Sequence, residues 1–441
     1  MAIMDFPEKT QNSKKLLSQM QSLQSEDVNW REGRNSSLVY YIGEEATKVM
    51  SDAYTMYSST NGLSPLAFPS LKKFESEVVA MSAHLLNGDS DVVGNMTCGG
   101  TESILMALKT ARDYYRVEKP EIKNPEIIVA NTIHPAFDKA AHYLGLTPIH
   151  IPVGKDYRAD VEATAKAINK NTILIVGSSP AYPQGVIDPI EELAKLAKEN
   201  NLLCHVDACL GGFLLPFIKK LGHNVPKFDF SVDGVTSISA DIHKYGYGPR
   251  GTSVILYKNS DLRKYQYFSF PDWPGGLYGS PSMTGSRPGG AIAGAWAIIN
   301  YLGQEGYLKL AEVVINTTKK LISGINNIPE LYVLGEPNMS VFSYTSDTLD
   351  IYSIGEEMTE RGWSLDRQQL PSCLHMMVTP AHENVADKFL LDLNDSVKYV
   401  KENPQEQKGM AAMYGAMASL PERGMVNDFI YTFLDSLTAL E

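Results

Sequence analysis

The chain has 441 residues, 44% of them hydrophobic and 20% charged, with a formal net charge of −12. That balance suits a soluble globular protein of two or three packed units and excludes wholesale disorder. The acidic field excludes nonspecific attraction to nucleic acid or an anionic membrane, so an anionic small substrate needs a local cationic pocket. The four cysteines, Cys98, Cys204, Cys209 and Cys373, show no CxxC spacing. Free thiols in a reducing compartment are expected, and no metal site. Asp5, Glu8 and Lys9 interrupt the first ten residues, so no signal peptide is read there. The most apolar window, "GGAIAGAWAIINYLG" (289–303), contains Asn300 and is too short to span a bilayer. It reads as a buried helix, and the expectation is a cytoplasmic protein without an integral membrane anchor.

Residues 1–35 are rich in Gln, Ser, Lys and Glu and read as a mobile or partner-wrapping arm. Helical periodicity follows from about 36 to 90, broken at 58–70, where Gly62, Pro65 and Pro69 impose an extended loop. From about 90 to 260 strands and helices alternate. After the strand-like "DVVGNM" come β-rich runs at 126–134, 147–153, 172–180, 201–209, 234–242 and 252–258. Helical segments such as 102–118, 188–200 and 211–221 lie between most of them. Continuous apolar strands joined by amphipathic helices predict a mostly parallel sheet covered on both faces. Ligands of such sheets bind beyond the carboxyl ends of the strands. Beyond about residue 311 short strands and helices form a smaller α+β unit, one helix carrying Val385, Phe389, Leu393, Val397 and Val400 at helical spacing. The predicted organisation is an arm and helical segment over 1–75, a large α/β domain over 76–310 and a small α+β domain over 311–441.

Four short stretches carry chemistry. In "TCGGTES" (97–103), Gly99 and Gly100 allow close backbone approach and Thr101 can cap the following helix. Backbone N–H groups and the helix dipole there favour a phosphate, although a plain Gly turn with a cap fits as well. In "HVDAC" (205–209), Asp207 ends an apolar strand, where a carboxylate needs a partner. A protonated heterocycle nitrogen would serve, and so would a helix N-cap or an internal ion pair. In "SADIHKYGYGPRG" (239–251), Lys244 and His243 lie on a loop whose glycines suit a closely approaching ligand. A lysine so placed can form a Schiff base with a carbonyl compound, and His243 can donate to a phosphate; a solvated loop lysine is the alternative. In "GSRPGGA" (285–291), Gly285, Ser286 and Arg287 form either an anion cradle or a turn with Arg287 paired to a carboxylate. Phosphate cup, His134, Asp207 and Lys244 follow one another at strand ends. That order matches the needs of pyridoxal phosphate: a cup for its phosphate, a ring-stacking group, a carboxylate for its pyridine nitrogen and a lysine for its aldehyde.

"DACLGGFLLPF", "GVTSISADIHKYGYGPRG", "DWPGGLYGSP", "GSRPGG" and "GMAAMYGAMA" (409–418) closely resemble the sphingosine-1-phosphate lyases of the pyridoxal-phosphate-dependent decarboxylase group. The resemblance runs from about residue 35 to the end and implies fold type I. It implies that Lys244 is the Schiff-base lysine, that Asp207 partners the pyridine nitrogen and that His134 stacks on the ring. Gly99, Gly100, Thr101 and His243 resemble the phosphate-binding groups. Gly285 and Ser286 would reach the phosphate from the second subunit of a homodimer with shared sites. Tyr182 and Cys209 would line the pocket. Tyr40 or Tyr41, with Asn61, would lie at the substrate's phosphate end, and Arg250 sits where the family also has a basic residue. One departure stands out: family members often read N-x-L-H-P where this chain has "NGLSP", so Ser64 replaces a histidine that helps hold the substrate phosphate. Losing one charge-assisted hydrogen bond costs about 1.5–3 kcal/mol.

The reaction implied is cleavage of the C2–C3 bond of a phosphorylated long-chain amino alcohol to a fatty aldehyde and phosphoethanolamine. The freed Lys244, Tyr182 or the cofactor phosphate would act as acid or base. The alternatives are an amino-acid decarboxylase on the same scaffold, which releases carbon dioxide and an amine, and a catalytically silent scaffold of the same fold.

Overall fold

The structure is a computed structural model that describes residues 6–404 and 423–439. The motif at 409–418 lies outside the described residues. Seven strands build the main sheet: β1 (Val93–Thr97), β2 (Glu126–Ala130), β3 (Thr147–Ile151), β4 (Thr172–Ser178), β5 (Leu203–Asp207), β6 (Ser237–Ala240) and β7 (Ser253–Tyr257), in the order β1-β7-β6-β5-β4-β2-β3. Pairing is parallel from β6 through β3, and β7 runs antiparallel to both of its neighbours. Two reversals cancel, so β1 points the same way as β6. The carboxyl ends of β1, β2, β4, β5 and β6 therefore share one edge. Residues of β4 are buried without alternation, as a sheet covered on both faces requires.

Helices occupy the expected intervals. Gly100–Glu118, Ile190–Glu199 and Leu215–Lys220 follow β1, β4 and β5. The helix after β1 begins at Gly100 with Gly99 as its N-cap at φ 145°, so Thr101 lies in the first turn and is not the cap. A left-handed backbone at Gly99 is open to glycine and strained for other residues. The apolar window at 289–303 opens the long helix Gly289–Asn326, interrupted at Gly303.

That helix joins two cores. Ile292, Ala295, Ala311 and Val314 pack with the main sheet, while Leu321 and Ile325 pack with a second cluster that includes Trp363, Phe389 and Leu393. The 310/311 boundary thus falls inside it, as the 75/76 boundary falls inside the helix Pro69–Leu85. After the β8 (Phe268–Phe270) and β9 (Tyr278–Ser280) hairpin comes the second sheet, of β10 (Tyr332–Val333), β11 (Val341–Thr345), β12 (Asp366–Gln368) and β13 (Cys373–Met377). Its order is β10-β11-β13-β12, antiparallel throughout. Within the arm, the helix Ser13–Leu23 buries no residue. Among the described residues no helix is long and apolar enough to cross a membrane.

Candidate active site at the strand ends

At the shared edge lies a cavity of about 500 Å³. Most of the wall comes from strand ends, and Met283 and Thr284 close it from the loop before the long helix. The β1 turn contributes Gly99, Gly100 and Thr101, the loop after β2 contributes His134, and the loop after β4 contributes Tyr182. Asp207 and Cys209 come from the end of β5, and Asp241, His243 and Lys244 from the turn between β6 and β7. Residues up to 145 positions apart in sequence meet because parallel strands deliver their ends to one place.

Asp207 is buried, and its Oδ1 accepts the Cys209 N–H at 3.0 Å and the Ser239 hydroxyl at 3.3 Å. Beneath it, His205 spans the Ser237 and Ser239 hydroxyls at 2.9 and 3.2 Å. Burial pushes the His205 pKa down to about 4, so this support is neutral. His134 accepts the Ala136 N–H on Nδ1 at 3.1 Å, which fixes the ring and leaves Nε2 to carry the proton of the neutral form. Its ring is reached through the cavity, yet the surrounding protein desolvates it and lowers its pKa against the attraction of Asp207. His243 accepts the Thr252 N–H on Nδ1 at 3.2 Å, and its Nε2 lies 3.6 Å from Asp241. Lys244 Nζ is 3.0 Å from Asp241 Oδ2. Burial pulls the lysine pKa down, but the Asp241 carboxylate outweighs it and holds the ammonium above the usual lysine range.

Gly100 is required sterically and Gly99 by its positive φ. A Cβ on Gly100 would lie 2.7 Å from an Asp241 carboxylate oxygen and 3.0 Å from the Cys209 sulfur, and one on Gly99 would lie 3.5 Å from the His243 ring. The cradle therefore brings bare backbone close to the His243 ring and to the Asp241 carboxylate that Lys244 engages. A cup for a phosphate, a carboxylate for a ring nitrogen, an imidazole and an amine stand around one cavity, and this donor set fits pyridoxal phosphate.

Tyr182 donates to Asp366 Oδ2 at 3.1 Å, a contact from β12 that the sequence did not suggest. Burial and the Asp366 charge raise its pKa, so it is a protonated phenol at neutral pH. Cys209 is buried, with its thiol pKa raised by burial. Tyr40 stands beside the cavity walls, its hydroxyl 3.4 Å from the Met377 sulfur and the Arg250 guanidinium 5.3 Å from its ring centroid. Arg250 itself is exposed and donates to the His243 carbonyl at 3.0 Å. Tyr41 faces a separate recess and donates to Glu44.

Asn61, Ser64, Gly285 and Ser286 do not line the cavity of their own chain. Asn61 Nδ2 donates to Ser286 Oγ at 3.1 Å and its Oδ1 accepts the Arg287 N–H at 3.0 Å. Arg287 is engaged bidentately by Glu75 at 2.6 and 2.9 Å, so the carboxylate-paired turn is the arrangement found. Ser64 is exposed, and its carbonyl accepts the N–H groups of Ala67 and Phe68. Sequence reasoning also missed Glu102. Its buried carboxylate accepts the N–H groups of Cys98 (2.6 Å), Met283 (2.7 Å) and Thr284 (3.3 Å), tying the cup to the loop that carries Gly285 and Ser286. Asp241 was visible as a polar residue directly after an apolar strand, but no motif drew it out.

Residues 3–346 match the pyridoxal-dependent decarboxylase conserved domain. A sphingosine-1-phosphate lyase of Oryza sativa is 46% identical over 433 residues, covering 96% of this chain and 80% of its own. That of Rattus norvegicus is 44% identical over 436 residues, covering 98% of this chain and 76% of its own. A solved sphingosine-1-phosphate lyase from Burkholderia pseudomallei superposes with a TM-score of 0.92 at 38% identity, covering 100% of this chain and 98% of its own. Glutamate decarboxylase of Lactobacillus brevis, at 19% identity and a TM-score of 0.80 over 93% of this chain and 97% of its own, shares the fold. With a buried lysine, an acid and a glycine turn all at the strand ends of that fold, the chain belongs to the pyridoxal-dependent decarboxylase family and, within it, to the sphingosine-1-phosphate lyases.

Proposed function

We propose that the chain is a pyridoxal-phosphate-dependent carbon–carbon lyase that cleaves phosphorylated sphingoid bases between C2 and C3, giving a fatty aldehyde and phosphoethanolamine. The observation that carries this reading is the convergence of Lys244, Asp207, His134 and the Gly99–Gly100 cradle on one cavity. When bound, the cofactor supplies an aldehyde for amines and a cationic ring that takes up the electron pair released at C2. Lys244 is the amine that attaches it. Asp207, already oriented by two donors, would accept a hydrogen bond from the protonated ring nitrogen, and the fixed ring of His134 would pack against the cofactor ring. The helix N-terminus at Gly100–Thr101, with His243 Nε2, holds the phosphate. Tyr182 is a proton donor at the pocket wall.

The substrate phosphate is assigned to Arg250, an exposed guanidinium beside Tyr40 with no carboxylate at salt-bridge distance among the described residues. Ser64 offers no charge there, so Arg250 carries more of the task than its counterpart beside a family histidine. The homodimer reading is supported by the same-chain bond between Asn61 and Ser286: neither lines its own cavity, and the two would enter a partner's together. A cytoplasmic location agrees with the acidic charge and reduced thiols.

The test combines K244A with product analysis. Purified wild-type protein loaded with pyridoxal phosphate should absorb near the visible edge and convert phosphorylated, but not unphosphorylated, sphingoid bases to a long-chain aldehyde. K244A should lose both the absorbance and the turnover. Turnover retained in K244A, or carbon dioxide and an amine as products, would overturn the reading.

A further inference from the structure

We propose that Asp241 is a positioning residue with two partners in succession: it holds the Lys244 ammonium before the cofactor is attached and the protonated His243 ring once Lys244 has been drawn to the cofactor. Asp241 is the first residue after β6 and is 2% exposed. Its Oδ2 lies 3.0 Å from Lys244 Nζ and 3.6 Å from His243 Nε2. The three residues share one turn, at i, i+2 and i+3, so a single carboxylate reaches both the amine and the imidazole. The Oδ1 atom is buried with no hydrogen bond of normal length among the described residues, and beyond Lys244 and His243 the Ser253 hydroxyl is the neighbour that helps keep the carboxylate charged. Oδ1 faces Gly100, where only the missing Cβ leaves room for it. A carboxylate is costly to bury without full hydrogen bonding, so packing alone does not explain this group.

The surroundings single out Asp241 as the counter-charge. Facing Lys244 from the other elements are Asp207 and Cys209 at the end of β5, His134 after β2 and Tyr182 after β4. The Cys209 thiol and Tyr182 phenol are neutral, because burial raises both, and His134 is held toward its neutral form. Asp207 is turned toward its own donors, Cys209 N–H and Ser239. Arg250 and Tyr40, beyond His243, complete the charged and titratable groups on the Asp241 side. Burial, with the Lys244 charge adding to it, holds His243 toward its neutral form; once Lys244 leaves, that charge is gone and His243 is the titratable base left within 4 Å of Asp241 among the described residues, free to take up a proton. Its Nδ1 is spent on Thr252, so the proton it gains sits on Nε2, between Asp241 and the phosphate cup.

The inference rests on Lys244 being the amine that takes up the cofactor, and its test separates the two. In uptake the ammonium sheds a proton to solvent, the freed nitrogen bonds to the aldehyde carbon as C=N, and the aldehyde oxygen leaves as water. An ammonium held by Asp241 slows that step at neutral pH. Apoenzyme would be mixed with pyridoxal phosphate between pH 6 and 9, uptake followed by absorbance, and the adduct trapped with borohydride and located by mass spectrometry. D241N should take up the cofactor at pH 7 at least tenfold faster than wild type. In wild-type apoenzyme, reductive methylation of Lys244, read against pH, should set in only above the usual lysine range. This second measurement needs no variant and stands even if D241N folds poorly. Equal uptake rates in a folded D241N, or ordinary methylation of Lys244, would overturn the role of Asp241. An adduct trapped on K244A would instead overturn the assignment of the lysine.

Discussion

Tyr182 is held at three points, all from the second sheet. Its hydroxyl donates to Asp366 Oδ2, its ring stacks on His375 at 4.3 Å between centroids, and its carbonyl accepts the His375 Nε2–H at 2.9 Å. Because a carbonyl only accepts, the His375 proton is on Nε2, and its buried Nδ1 has no partner. Asp366 and His375 face each other across the β12–β13 pairing, so one register sets all three contacts. The phenol is therefore aimed by a carboxylate that does not itself line the cavity. D366A should leave the hydroxyl free to turn and lower kcat/KM for aldehyde release by about ten- to a hundredfold, the worth of one hydrogen bond to a charged group. D366N keeps an acceptor in place and should lose less than tenfold. Steady-state kinetics on the three proteins decide it; equal values for D366A and wild type would show that Tyr182 is positioned without Asp366.

The loop before the long helix behaves as one unit fastened at both ends. Glu102 captures the N–H groups of Met283 and Thr284, while Asn61 and the Glu75–Arg287 pair hold residues 286–288. The pair is largely buried, with side chains 15% and 11% exposed, and Glu75 also accepts the Met96 N–H. R287A would leave that carboxylate without its cation and should destabilise the protein by about 3 kcal/mol, read from urea unfolding at neutral pH. R287K keeps the charge but not the fork and should fall between. This unit also shows what the sequence could and could not reveal. The strands of the main sheet were legible because runs such as "TILIV" are buried on both faces and need no partner to be recognised. The glycine cup, Asp207 and Lys244 were legible as polar or glycine residues at the ends of such runs. Arg287 was left with two readings because its partner Glu75 is 212 residues away, and no local pattern reports so distant a contact. β12 was missed because "DRQ" is half-buried and polar, and it is a strand only through β13. Asp241 was visible but unassigned, since its role depends on the distance between a turn and a helix N-terminus.

The whole molecule carries a definite pH dependence. His205 and His375 are both held at pKa values of about 4, chiefly by burial, against about 6.5 in an unfolded chain. Unfolding between pH 4 and 6.5 therefore takes up close to two protons at these sites. Asp188 acts in the opposite sense. Burial raises its carboxyl to about 6, although the Ser178 and Ala159 N–H groups oppose it, so unfolding between pH 4 and 6 releases close to one proton. The net uptake is about one proton, and the lowered pKa values of His134, His243 and His382 add to it in the same direction. Where the unfolded state binds more protons, stability rises with pH, by about 1.4 kcal/mol per pH unit for each proton. The protein should therefore lose about 2 kcal/mol between pH 6 and pH 4 through His205, His375 and Asp188. Urea unfolding midpoints across that range measure it. H205N would remove one titrating site and flatten the slope by about 1.4 kcal/mol per unit, whatever its effect at neutral pH. D188N would steepen it by a similar amount, because the opposing carboxyl is gone. A slope unchanged in both variants would show that neither buried site sets the acid limit.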